Sequence, residues 1–299
     1  MSRDRLQPIV MALGVLLLLW GVVEIFRGEF DEAAGDFQIP RVTEQDADSV
    51  VFERVADTVV LVKQENDWTV NGHAAAPNGV SDFFEQFENA PPGQLVAQSF
   101  DTHGRLAIDD STARAFRIFG NGETLAYMLV GKRARSSQES YFRQPGDASV
   151  YSVRTRIAMY VDRNVHDWRD RSIARIDTSV VSSAEIQVGS QSYVLRREDD
   201  GWQLGSEAAD SAQVVTFLRE YATITAMDFH GPDSDSVDFD QPDRHALLRN
   251  AAGNILVELA FDSTTSGYWV RKTGDSIIYR LSNFTVNRMT PSDSTLRGN

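Results

Sequence analysis

The chain of 299 residues contains no cysteine. Disulfides, thiolate nucleophiles and zinc–thiolate sites are therefore excluded, although the absence names no compartment. Lysine is nearly missing too. Of 29 basic residues only Lys63, Lys132 and Lys272 are lysines, and 43 acidic residues bring the formal net charge to −14. No cluster of basic residues stands out, so a nucleic-acid partner, which needs grouped cations to neutralise phosphates, is not expected. Catalytic motifs are equally scarce. His73, His103, His166, His230 and His245 show no H-x-H or H-E-x-x-H spacing, which argues against a local zinc site. No G-x-S-x-G occurs among the serines, so no nucleophile elbow is written in the chain.

The one long apolar run is "IVMALGVLLLLWGVVEIF", residues 9–26, interrupted only by Glu24. As a helix it is about 27 Å long, close to the thickness of a bilayer's hydrocarbon core. Arg3 and Arg5 precede it, while Glu29, Asp31 and Glu32 follow Arg27. The positive-inside rule then puts the N-terminus in the cytoplasm and the remaining chain outside. A cleaved signal peptide is the rival reading. The run is long for that role, and no A-x-A-like cleavage site follows it. An uncleaved single-pass anchor over residues 1–28 is the expectation. Residues 29–48 are acidic and weakly patterned and read as a stalk, with a short strand near Phe37 and Ile39.

From Ser49 onward the chain reads as if written twice. "VVLVKQENDWTV" (59–70) matches "YVLRREDDGWQL" (193–204), each a strand, an acidic turn and a strand that opens with tryptophan, Trp68 or Trp202,. Val80, Phe83, Phe84 and Phe87 follow the first, and Val214, Phe217, Leu218 and Tyr221 follow the second. Both sets have the i, i+3, i+4, i+7 spacing of one helix face. Residues 106–131 match 237–262, with Ile108 on Phe239, Asp109 on Asp240 and Gly122 on Gly253. Finally "YFRQPGDASVYSV" (141–153) matches "YWVRKTGDSIIYRL" (268–281), each an apparent hairpin around a Gly-Asp turn,. The expected fold class is α+β: a transmembrane helix, then two tandem similar units, 49–177 and 178–290, each a mostly antiparallel sheet with one packed helix. Residues 291–299 lack an apolar pattern and are expected to fray.

Several polar clusters invite a chemical reading. "DSDSVDFD" (233–240) holds alternating carboxylates that could ligate calcium, but the loop glycine and distal glutamate of an EF-hand are missing, and a solvated acidic loop is the simpler account. "FGNGETLA" (119–126) has too few glycines for a nucleotide fingerprint, whereas Asn121-Gly122 suits a hairpin turn. "HDWRD" (166–170), between the units, could form a binding surface or pin structure together. Tyr141, Phe142, Trp168, Arg169, Tyr268 and Trp269 are the candidates for an interaction surface. No catalytic, cofactor-binding or metal-binding residue is nominated.

The series of the tryptophan hairpin, the Val80–Phe87 helix, "GRLAIDDSTARAFRIFGNGETLAYMLVGKRA", the Gly-Asp hairpin and "WRDRSI" resembles a bacterial family known only as domain of unknown function 4340. Members commonly carry an LD-x-P-like stretch. "FDQP" (239–242) keeps it, while "IDDS" (108–111) lacks the proline. The resemblance implies an inner-membrane protein with a periplasmic repeated domain, an accessory of ABC transport systems of the gliding-motility type. It carries over no catalytic residues. The resulting expectation is a non-catalytic, single-pass scaffold subunit without cofactor. Its partners would be the membrane, through residues 9–26, and the transporter's membrane or auxiliary subunits. The rival is an envelope module that binds a glycan, lipid or lipoprotein, with similar pockets in both units.

Overall fold

The computed structural model describes residues 37–298, apart from 135, 137, 232, 233 and 235. The expected anchor at residues 9–26 lies outside the described residues. Among the described residues no helix is long and apolar enough to cross a membrane. The chain divides into two compact units after Asp170. Among the described residues the strand pairings are antiparallel, in two large sheets and one small ribbon.

The first unit carries β1 (Ser49–Glu53), β2 (Thr58–Gln64), β3 (Asp67–Val70) and β4 (His73–Ala74), then helix α1 (Pro77–Glu88). After it come β5 (Gln94–Ala97), the short α2 (His103–Leu106), β6 (Arg114–Gly120), β7 (Glu123–Arg133), β8 (Glu139–Arg143) and β9 (Val150–Arg154). Two short helices, α3 (Ile157–Val161) and α4 (Val165–Trp168), end the unit. The sheet order is β4-β3-β2-β1-β6-β7-β8-β9-β5.

The second unit opens with β10 (Ser172–Arg175), followed by β11 (Val181–Val188), β12 (Gln191–Glu198), β13 (Gly201–Leu204), β14 (Glu207–Ala208) and helix α5 (Ser211–Ala222). It continues with β15 (Thr223–Thr225), β16 (Asp228–Phe229), β17 (Arg244–Asn250), β18 (Ile255–Thr264), β19 (Gly267–Lys272) and β20 (Ile278–Leu281). Helices α6 (Asn283–Met289) and α7 (Asp293–Leu296) close it. Its large sheet runs β14-β13-β12-β11-β17-β18-β19-β20-β16, the same order of nine strands as in the first unit, while β10 pairs with β15 apart.

The periodicities explain the cores. Helix α1 starts with Pro77 in its first turn, where a missing N–H costs nothing, and buries Val80, Phe83, Phe84 and Phe87 on the sheet. Helix α5 is capped by the Asp210 carboxylate, which accepts from the Ala212 and Gln213 N–H groups. It buries Val214, Phe217, Leu218 and Tyr221. Strand alternation supplies the facing residues, such as Phe116 and Ile118 on β6 and Ala246 and Leu248 on β17,. Asn121 and Gly122 have φ of 53° and 79° and turn β6 into β7, as a tight two-residue hairpin requires.

Two expectations are corrected. Within the expected stalk, residues 37–48 pack against the first unit: Phe37, Ile39, Val42 and Ala47 join its core. Phe37 stacks on Tyr151 with centroids 4.1 Å apart, and Glu44 accepts a 2.9 Å bond from the Trp68 indole. The backbone there is held by long-range contacts, which a local pattern does not reveal. At the other end, residues 292–298 do not fray. Ser292 caps α7 by accepting from the Thr295 N–H, and Leu296 is buried in the second core.

Candidate functional site

The candidate interaction residues are largely interior. Phe142 on β8 and Trp168 on α4 belong to the first core, and Tyr268 on β19 belongs to the second. Trp269 is 5% exposed, with the His230 ring 5.1 Å away. These four side chains are therefore already spent on intra-unit packing and do not form a free surface. Trp168 stacks on Phe52 at 5.3 Å and meets Phe83 and Tyr160 edge-on or tilted. Tyr141 is half-buried against a small cluster of Leu106, Ile108, Ala115, Leu129 and Val150. Arg169 is half-buried next to an isolated bridge to Ala75.

Three of the histidines have separate surroundings within their own units. The buried His103 ring bonds the Ala148 carbonyl at 3.0 Å. His73 has its pKa lowered, by burial and by the Arg169 guanidinium. His245 lies 3.1 Å from Glu258 across β17 and β18, and no hydroxyl bonds it among the described residues. Among the described residues no group of three or more His, Asp or Glu is placed to hold a metal ion. In the acidic loop, Asp238 is a turn residue that accepts from the Asp240 and Gln241 N–H groups. The Gly-Asp pairs are turns as well. Gly146 and Gly274 have φ of 78° and 84°, and Asp147 and Asp275 accept from the amides of Ser149 and Ile277, each at 2.9 Å.

A concave site lies in the second unit. A cavity of about 700 Å3 opens between the β11–β12 hairpin, α5 and the segment that joins α6 to α7. That volume is within the range of small-molecule pockets. Val188, Phe217 and Pro291 give it apolar walls, while Tyr193, Gln213 and Arg244 add polar groups. The Tyr193 hydroxyl donates to the Pro291 carbonyl at 2.5 Å, and burial, helped by the Asp293 carboxylate, pushes its pKa above the ordinary tyrosine value. Below it the Tyr221 hydroxyl donates to the Met289 carbonyl at 2.6 Å. Arg244 donates to the Thr290 hydroxyl at 2.8 Å and lies over the Tyr268 ring at 5.1 Å.

The matching place in the first unit carries larger and charged side chains. Val188 faces Arg244 across the β11–β17 ladder, and Glu53 faces Ala115 across β1–β6, which sets Arg54 against Arg114. Arg54 donates to the Asp162 carbonyl at 2.7 Å, and Arg114 pairs with the Asp162 carboxylate. Arg163 covers the rings of Tyr160 and Trp168 at 4.3 and 5.0 Å. Three side chains of the first unit, Arg54, Asp162 and Arg163, thus stand where Val188, Thr290 and Pro291 border open space in the second. No motif points to this cavity. Its only signal in the sequence is this loss of size and charge between matched segments.

Among curated proteins and among solved structures nothing matches the chain. A family model does match, over residues 68–243. The matched span runs from the tryptophan of β3 to the approach of β17, and so takes in parts of both units. With more than half of its length in that match, the chain belongs to the family described as Domain of unknown function (DUF4340).

Proposed function

We propose that the chain is a non-catalytic scaffold: a single-pass inner-membrane protein whose duplicated periplasmic domain docks to subunits of an ABC-type transport system of the gliding-motility kind. Residues 9–26 would be its anchor, with the N-terminus in the cytoplasm. The observation that carries the reading is the equivalence of the two units. Their nine-stranded sheets have one strand order. The Ala76 and Asp210 amides, each at the start of the packed helix, donate to the carbonyls of Trp168 and Leu296, both at 2.8 Å. Arg143 and Arg271, matched on β8 and β19, donate to the Ile108 and Phe239 carbonyls. Tandem duplication accounts for all three. The polar groups most suggestive of chemistry serve turns and caps, which fits a docking role better than a reaction.

The test is crosslinking in cells at native expression, followed by identification of the captured proteins. Transporter subunits are the expected catch. Recovery of the protein alone under mild extraction overturns the reading.

A second reading, an envelope module that binds a ligand, is favoured by the cavity beside Arg244. Its version with paired sites finds no support, because Arg54 and Arg163 occupy the matching place in the first unit.

A further inference from the structure

The cavity of the second unit has a feature that its volume alone does not convey. In the first unit Arg114 opens β6 with a carboxylate partner, Asp162. In the second, the matched Arg244 opens β17 against Thr290, a neutral hydroxyl. Among the described residues no carboxylate lies within ion-pair distance of Arg244. The nearby acids have partners of their own, although Asp243 also feels the Arg244 charge and Asp293 lines the cavity near Tyr193. Asp243 accepts from the Ser263 amide at 2.8 Å, Glu220 pairs with Arg288, and Asp293 faces Arg297 at 3.9 Å. One Arg244 nitrogen is used by Thr290, and a guanidinium has donors enough to bind a planar carboxylate as well. Beside this cation, Val188, Phe217 and Pro291 form an apolar wall.

We infer that the cavity of the second unit binds a small amphipathic carboxylate, whose anionic end sits on Arg244 where Asp162 sits on Arg114, and whose apolar body lies along Val188, Phe217 and Pro291. This rests on the ligand-binding reading and adds the chemical class. Partial burial of the guanidinium over Tyr268 makes a charge-assisted contact there stronger than one in open water. Tyr193 and Gln213, both in the lining, offer polar groups to the ligand.

The first unit supplies the test variants. Thr290→Asp installs the missing counter-ion, and Val188→Arg fills the space as Arg54 does. Both copy an arrangement that the same sheet order already tolerates. Calorimetric titration of the full-length protein with N-acetyl-leucine and N-acetyl-phenylalanine, each beside its neutral amide, reads the outcome. Saturable binding of the acids is expected, with the amides and both variants weaker by at least about tenfold. Circular dichroism melts of the variants should match or exceed the parent. If acids and amides bind alike, or Thr290→Asp binds undiminished, the carboxylate inference falls while the ligand-binding reading stands. If neither acids nor amides bind the folded parent, both fall.

Discussion

The backbone N–H of Asp210 donates to the carbonyl of Leu296, so the last helix of the chain is fastened to the first turn of α5. Leu296 itself is 1% exposed. Replacing it with alanine should cost about 2–4 kcal/mol, the range for a buried leucine that leaves a cavity. Deletion of residues 291–298 should cost more, since it also removes the acceptors of the Tyr193 and Asp210 donors. Urea unfolding followed by Trp202 fluorescence, with the other tryptophans changed to phenylalanine, measures both. An unchanged midpoint would mean that the tail is a passive end.

Gly120 ends β6 beneath the segment that leads into β1. A Cβ placed there would lie 2.0 Å from the Asp46 carbonyl oxygen and 2.8 Å from Leu125. Backbone cannot give by that much, so Gly120→Ala should displace residues 43–48 and destabilise the first unit by about 2–4 kcal/mol. Gly104→Ala is the control, because nothing lies within 4 Å of its added methyl. Thermal melts of the two variants should differ widely, and equal melts would contradict the packing of residues 37–48.

Arg143 is wholly buried and donates to the Ile108 carbonyl at 3.0 Å, the Asp147 carbonyl at 2.9 Å and the Asp110 carboxylate at 2.5 Å. Arg143→Met leaves two carbonyls without their donor and should cost about 2–4 kcal/mol. Its counterpart Arg271 makes a 3.5 Å contact with the Phe239 carbonyl and rests on the Phe239 ring. Arg271→Met should cost less than about 1 kcal/mol. Chemical denaturation of both variants tests the ranking, and its reversal would refute it.

Tyr193 and Tyr221 should give the protein an alkaline weakness. Burial raises both phenol pKa values above the ordinary one, for Tyr221 with further help from Tyr193 and Glu220. Where a folded pKa is raised, the native state holds its proton longer than the unfolded chain. The stabilisation is complete below the unfolded value of about 10 and is lost as pH rises toward the folded one. Ultraviolet titration should find these two phenols the last to ionise. Tyr193→Phe should flatten the loss of stability above about pH 10, and an unaltered alkaline limb would speak against the burial.

Local rules made much of this architecture readable. The four-residue faces of α1 and α5, the Asn121-Gly122 hairpin and the two Gly-Asp turns each depend on neighbours within a few positions,. Residues 37–48 were opaque because partners far along the chain hold them, Trp68 for Glu44 and Tyr151 for Phe37. The C-terminal cap did leave a trace, Ser292 followed three residues later by Thr295, but four helical residues make no period. The candidate aromatics misled for a related reason. Trp168 looks exposed among His166, Arg169 and Asp170, yet one turn of helix aims it at Phe52. The cavity was hidden most deeply. It depends on what Val188, Thr290 and Pro291 are not, and that is visible only when the register is known.

The sheet order also sets a timetable for folding. β5 is made before β6 but pairs with β9, and β16 precedes β17 but pairs with β20. Each edge strand must wait for three later strands before it has a partner, and each helix start waits longer still, for Trp168 or Leu296. Pairings this distant in sequence slow the search for the native state. The waiting strand keeps its backbone groups unpaired and open to association meanwhile. A chain delivered from its N-terminus can complete the first unit once Asp170 has emerged, without the second. The second can finish only once Leu296 has been released, which leaves its edge exposed for longer.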